Sequence, residues 1–378
     1  MPAPAGYPYY YIGIMSGTSI DGVDAVLADF SCPEHPVLTG MVSLPMPAAL
    51  RSELLALNIP GTNELERAAL AANELAMLYA HATQAVLDQT GVSPNQVRAI
   101  GAHGQTVRHA PQLGYTIQLN APAVLAHATG IPVIADFRSR DVAGGGQGAP
   151  LVPAFHHALF GTCTPRAVLN LGGMANVTLL RPGAPVIGFD TGPANVLLDL
   201  WIHEHRGLPY DAQGAWASSG ESRPALVEHL IRSEPWFALP GPKSTGRDLF
   251  SRQWLMQRLD HFYATFAKGR ALNPADVQAS LQTLTVESVT QALAPYLANL
   301  EEVLVCGGGA LNTGMMAEFQ RRLPCKVGST ADAGIPVTAV EGMAFAWLAW
   351  AHDNEYAAGL PEITGTQRPV VLGCRYPA

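Results

Sequence analysis

Twice along this chain an apolar strand runs into a glycine-bearing turn and returns as a second apolar strand. The first instance spans residues 10–30, with its turn at 15–22. The second spans residues 167–180 (AVLNLGGMANVTLL), with Gly172 and Gly173 at its tip. One such hairpin in each half points to a duplicated domain with a cleft between the copies. The length, 378 residues, suits two domains at about 150 residues each. The join is expected near residues 150–166, giving lobes 1–160 and 161–378, with a last helix at about 338–350 that can cross back. Further short apolar runs at 99–102, 116–119, 133–135, 186–189, 303–306 and 325–328 read as strands. Helical patterns lie between them at 64–90, 123–129, 195–205, 251–268, 276–293 and 313–323, so the class is α/β. Asn63 is placed to cap the first helix, whose apolar face reads Leu65, Ala69, Ala72, Ala76, Tyr79 and Val86, and Gly91 to end it.

Composition narrows the partners. Lys and Arg number 22 against 30 Asp and Glu, which argues against a protein that works by neutralising nucleic-acid phosphates. The most apolar long stretch, residues 65–87, is interrupted by Glu66, Arg67, Asn73, Glu74, His81 and Gln84, so it is an amphipathic helix and no membrane span is expected. Five widely separated cysteines without a CxxC pair argue against a disulfide framework or a thiolate zinc site. Reduced, mostly buried thiols in a cytoplasmic protein are expected.

P-loop, dinucleotide-binding, hydrolase-elbow and zincin motifs are all missing from the sequence. The first hairpin turn carries the strongest chemistry. Gly17, Thr18, Ser19, Ile20, Asp21, Gly22, Val23 and Asp24 combine small residues, hydroxyl donors and two carboxylates. Small residues let backbone N–H groups approach an anion. Carboxylates beside a phosphate cradle call for a cation between them, and Mg²⁺ is the ordinary one. A tight hairpin with Asp at turn positions is the alternative. Gly172 and Gly173 can cradle the other end of a polyphosphate. Gly307, Gly308 and Gly309, with Asn312 close by, can let a nucleotide lie against the backbone. Asp190 is read as the end of a strand just before a helix, where it can act as general base or, alternatively, cap the helix with Thr191. His103 and Gln105 sit in a glycine-flanked loop and can hydrogen-bond a polar ligand; a turn histidine hydrogen-bonded locally is the alternative for His103. Arg138 and Arg140 either join them or pair with Asp136 and Asp141. Glu341 is a first-turn charge favoured by the helix dipole or a cleft residue. The stretch 242–248 (PKSTGRD) either orders on a ligand or is a solvated connection.

Taken in order, SGTSIDGVD (16–24), GAHGQTVRH (101–109), DFRSRD (136–141), GGQGAPLVP (145–153), LNLGGMANV (169–177), FDTGPAN (189–195), PKSTGRDLF (242–250) and VCGGGALN (305–312) resemble the anhydro-N-acetylmuramic acid kinases over nearly the whole chain. The resemblance implies an actin-like ATPase fold of the sugar kinase/Hsp70 type: two duplicated domains around a nucleotide cleft. It also implies Mg-ATP and water as co-substrates, opening of a 1,6-anhydro ring, phosphorylation of O6, service in peptidoglycan recycling, and a homodimer. Asp190 then carries over as the base, with Glu341 as a second candidate, and residues 17–24 as the ATP phosphate motif. One departure is Ala194, where the family pattern has Gly; it touches the shape of that turn and leaves Asp190 intact. A kinase of the same fold acting on an intact hexose or small acid, and a nucleotide-dependent actin-like scaffold, are the competing readings.

Overall fold

The structure, a computed structural model, describes residues 9–17, 20–161, 163–241, 243–247 and 249–378. In chain order the strands are β1 (Tyr10–Met15), β2 (Gly22–Asp29), β3 (Val37–Pro45), β4 (Val97–Ala102), β5 (Gln105–Ala110), β6 (Tyr115–Leu119) and β7 (Val133–Ala135). They continue with β8 (Arg166–Leu171), β9 (Met174–Leu180), β10 (Ile187–Pro193), β11 (Glu302–Cys306), β12 (Lys326–Ser329) and β13 (Cys374–Tyr376). The chain divides into two compact units. One holds Met1–Gly161 together with Ala339–Ala378, the other Thr162–Thr338.

The first unit is built on a sheet of order β13-β7-β4-β1-β2-β3. Strands β1, β2 and β3 pair antiparallel, while β1, β4 and β7 run parallel. The second unit has the order β10-β9-β8-β11-β12, again with an antiparallel triplet and two further parallel strands. Numbered within each sheet, both share the order third-second-first-fourth-fifth with matching directions, and the first sheet adds β13, antiparallel, beyond its fifth strand. This is the duplicated topology of the actin-like fold, and each glycine-tipped hairpin is the first pair of its sheet.

The long helix Glu64–Thr90 buries Leu75, Ala76, Tyr79, Val86 and Leu87 on the first sheet and ends at Gly91, whose φ of 69° suits the left-handed stop. Its start departs from expectation. Asn63 makes no capping bond and its side chain reaches Glu66 instead, while Leu65 and Ala69, read as part of the apolar face, are exposed because the buried face begins only at Ala71. The cysteines are free, but Cys32, Cys163 and Cys374 are exposed where buried thiols were expected. Among the described residues no helix is long and apolar enough to cross a membrane.

The helix Val340–Asp353 lies directly on the first sheet. Gly13 and Gly101 are neighbours across β1 and β4. A Cβ on Gly13 would fall 1.9 Å from the Gly342 carbonyl oxygen, and one on Gly101 would fall 2.0 Å from that of Phe345. Only glycine leaves room for helix backbone there. Gly101→Ala is therefore expected to cost about 3 kcal/mol by overpacking and to lower the unit's melting temperature by roughly 6–12 °C. Thermal unfolding checks this; an unchanged midpoint would contradict the close packing.

Candidate active site

In the first unit the candidate residues gather at the carboxyl ends of the parallel strands, the usual ligand edge of such sheets. After β1, Ser16 is buried, its hydroxyl 2.9 Å from the Tyr79 hydroxyl and 3.4 Å from the Gly104 carbonyl. Thr18 and Ser19 lie outside the described residues. Ile20 closes the turn, with φ 54° and its N–H donating to the Gly17 carbonyl at 3.1 Å. Asp21 is exposed and pairs with Arg51 at 3.5 Å. Asp24 is half-buried in β2 and accepts from the Ser43 hydroxyl. Burial raises its carboxyl from the ordinary value, against the smaller opposing effect of Ser43.

After β4 comes His103, 5% exposed. Arg138 donates to its Nε2 from Nε at 3.3 Å and Nη2 at 2.9 Å, and from Nη1 to the Gly148 carbonyl at 2.7 Å. Burial first, then the Arg138 charge, hold His103 well below the usual imidazole value, although the Ser16 and Gly104 backbone favours a proton. His103 is thus neutral with Nε2 as acceptor, and its proton sits on Nδ1. That Nδ1 makes no hydrogen bond of ordinary geometry. The buried Gln105 Oε1 and Asn120 Oδ1 also lack partners. Buried polar atoms left unpaired together mark a place where a polar ligand completes them. Asn120 was not anticipated; an Asn after a strand carries no local mark of function. Burial lowers the Arg138 guanidinium to about 10, while the charges of Glu341 and Asp141 favour its protonated form. Arg138 and Glu341 therefore share one neighbourhood with His103. Of the two readings of Arg138, salt bridges with Asp136 and Asp141 do not account for its hydrogen bonds, which go to His103 and Gly148.

In the second unit Asp190 lies inside β10, not at its end. The strand continues to Pro193 through a bulge between Asp190 and Gly192, and bulges re-aim side chains. Neither Asp190 nor Thr191 caps the next helix, Asn195–Arg206; the Thr191 hydroxyl donates to the Ala175 carbonyl. The Asp190 N–H donates to the Lys243 carbonyl at 2.8 Å, and Asp190 Oδ2 accepts from the Thr245 N–H at 2.8 Å. The segment 243–247 is thus ordered along the β10 edge; Pro242 and Asp248 lie outside the described residues. Lys243 is pinned in turn. Its Nζ donates to the Trp236 and Phe237 carbonyls at 3.1 Å each and sits 4.1 Å over the Trp236 ring. Asp190 keeps some exposure, yet enclosure pushes its carboxyl up to about 7 against the opposing Thr245 hydrogen bond. Thr245 Oγ1 is buried without a partner beside it.

The glycine clusters of this unit come together. The Gly172 and Gly173 carbonyls accept from the N–H groups of Ala194, Asn195 and Val196 at 3.0–3.1 Å. Gly307 has φ 79°, and a Cβ on it would fall 2.4 Å from Asn170 Oδ1; on Gly309, 2.5 Å from Leu171 Cβ. Gly308 is more open, the nearest atom being 3.8 Å away. Asn312 spends its side chain on structure: Oδ1 caps the helix Thr313–Arg322 through the Met315 N–H at 3.0 Å, and Nδ2 donates to Gln282 at 2.9 Å.

The family model described as anhydro-N-acetylmuramic acid kinase matches residues 9–378. A Bordetella parapertussis protein of that name is 60% identical over 97% of this chain and 96% of its own length. One from Pseudomonas paraeruginosa is 49% identical over 97% and 99%. A solved structure of the activator of 2-hydroxyisocaproyl-CoA dehydratase from Clostridium difficile, with bound ADPNP, covers 92% of this chain and 96% of its own at 11% identity and a TM-score of 0.47.

Proposed function

The chain belongs to the anhydro-N-acetylmuramic acid kinase family, and from that membership we propose that it opens the 1,6-anhydro ring of anhydro-N-acetylmuramic acid with water and phosphorylates O6 with ATP. The product is N-acetylmuramic acid 6-phosphate, formed in cytoplasmic peptidoglycan recycling by a homodimer.

The observation that carries this reading is the enclosed Asp190 carboxylate, oriented by the Thr245 N–H and poised at about 7. A base works best with its pKa near the working pH. Asp190 takes a proton from water, whose oxygen bonds to C1. The C1–O6 bond breaks and its electron pair stays on O6. That oxygen attacks the γ-phosphorus, and ADP leaves. The phosphoryl group captures the oxygen that would otherwise need a proton. Glu341 assists in orientation. His103, Gln105 and Arg138 bind the sugar, with the His103 Nδ1–H as donor. Residues 17–24, Gly172, Gly173 and residues 307–309 hold the nucleotide through backbone groups, and Asn312 supports that turn by capping. Phosphoryl transfer depends mostly on such positioning and charge stabilisation.

Mg²⁺ fits the donor chemistry at Asp24, a half-buried carboxylate beside the Ser43 hydroxyl that offers only hard oxygen atoms. Asp24 would hold the ion through water, and the ion when bound neutralises phosphate charge. Asp24→Ala is expected to raise the Mg²⁺ concentration for half-maximal activity about 10-fold or more. A Mg²⁺ titration of activity checks this; an unchanged requirement would remove Asp24 from the metal's surroundings.

ADP release with and without the anhydro sugar tests the reaction class. Sugar-dependent release is expected. Release indifferent to the sugar would favour an actin-like scaffold, and an equal response to an intact hexose would favour an ordinary kinase.

A further inference from the structure

Asp141 is a fully buried carboxyl group that the reaction above does not use. Its Oδ2 accepts from the Gly148 N–H at 2.7 Å, and its Oδ1 accepts from the hydroxyl of Thr364, 223 residues away, at 2.5 Å. Thr364, only 3% exposed, ends the short helix Pro361–Thr364. The same two segments are laced by backbone. The Gln147 N–H donates to the Thr364 carbonyl at 2.8 Å, and the Gln367 N–H to the Gly144 carbonyl at 2.9 Å. The Thr366 hydroxyl, also buried, reaches the Gly144 carbonyl at 3.4 Å. A Cβ on Gly146 would fall 2.2 Å from Asp141 Oδ2, so the loop 144–148 is wrapped tightly on this carboxyl.

The loop has one outward consequence. The Gly148 N–H is held by Asp141, and the Gly148 carbonyl accepts from Arg138 Nη1. Arg138 in turn donates twice to His103 Nε2. A line of hydrogen bonds thus runs from Thr364 through Asp141, Gly148 and Arg138 to His103, all within the first unit. Burying a carboxyl group at a loop is costly unless its acceptors are filled, and here both oxygens are filled by groups on segments far apart in sequence.

We propose that Asp141 and Thr364 are positioning residues: the C-terminal segment, clasped by Thr364 to Asp141, sets the 144–148 loop and through it the orientation of Arg138 and His103 toward the sugar. The inference rests on the reading that His103 and Arg138 bind the sugar. It assigns to a stretch some 220 residues downstream of that loop a part in substrate selection.

The test compares Thr364→Val, which keeps shape and removes the donor, with Thr364→Ser, which restores it, in the full chain. Thr364→Val is expected to raise KM for the anhydro sugar about 3- to 10-fold, the scale of one lost hydrogen bond at a buried acceptor. KM for ATP should stay unchanged and kcat within about twofold. The ¹⁵N shift of His103 Nε2 should move, since it reports the Arg138 donors. Thr364→Ser should return both toward the parent. Arg138→Lys, which keeps charge but loses the planar fork, separates the two levels of the argument. If it leaves the sugar KM alone, the reading of the sugar site is wrong and the proposal falls with it. If it raises the sugar KM while folded Thr364→Val changes neither that KM nor the His103 signal, the clasp is purely structural and the proposal alone is overturned.

Discussion

Asp190→Asn is expected to leave ATP binding intact and to lower turnover by roughly 100- to 10,000-fold, the range for losing a general base. Asn still accepts from the Thr245 N–H, so the local geometry is retained while the proton acceptor is lost. In the parent, activity should rise with pH through about 7 as Asp190 ionises. The same group makes a second prediction of opposite sign for stability. Its ordinary value is 3.8 and its folded value about 7. A carboxyl group raised on folding costs nothing below the unfolded value. It costs progressively more between about pH 4 and 7, and its full amount above that. Asp190→Asn should therefore melt above the parent at pH 8 and level with it at pH 4. Near-normal turnover in a folded variant would reject the base role; an equal melting difference at both pH values would reject the enclosed carboxylate.

Arg138→Met is expected to lower kcat/KM for the anhydro sugar by roughly 10- to 150-fold, the cost of one charge-assisted hydrogen-bond system at about 1.5–3 kcal/mol. Arg138 fixes His103 as a neutral ring accepting at Nε2 and places a positive charge near Glu341. Without it, the ring is free to reorient and a positive charge near Glu341 is removed. The loss should fall on the sugar and spare KM for ATP. Steady-state kinetics with each substrate varied in turn checks this, and an equal loss for both substrates would mean that Arg138 supports the fold and not the sugar.

Much of the frame was legible because it is written locally. Strands β1, β2, β8, β9 and β11 are short apolar runs against glycine turns, and the helix Glu64–Thr90 has a buried face from Ala71 to Leu87 with Gly91 as its stop. What escaped depends on contacts distant in sequence. Strand β3 has no fully buried residue and contains Gly40, so alternation is faint. Strand β10 runs past Asp190 because a bulge at Gly192 absorbs the irregularity that reads as a strand end. The tight seat of the helix Val340–Asp353 needs Gly13 and Gly101 together, which only the β1–β4 pairing brings side by side. Among the candidate residues, His103, Gln105 and Arg138 could be named from a glycine-flanked loop and a strand end, and Glu341 from the first turn of a helix. Asn120 could not, nor could the parts that Thr245 and Asp141 play inside their singled-out stretches, since these lie in unpaired atoms or in partners such as Thr364.

Turnover in H₂¹⁸O with ATP and the anhydro sugar, followed by mass analysis of the phosphorylated product, tests the coupled ring opening most directly. One solvent oxygen at C1 per phosphoryl group transferred, at times too short for exchange through the open-chain sugar, is the result predicted. A phosphorylated product with unlabelled C1 would contradict it, because phosphorylation would then proceed without water attacking the anomeric carbon.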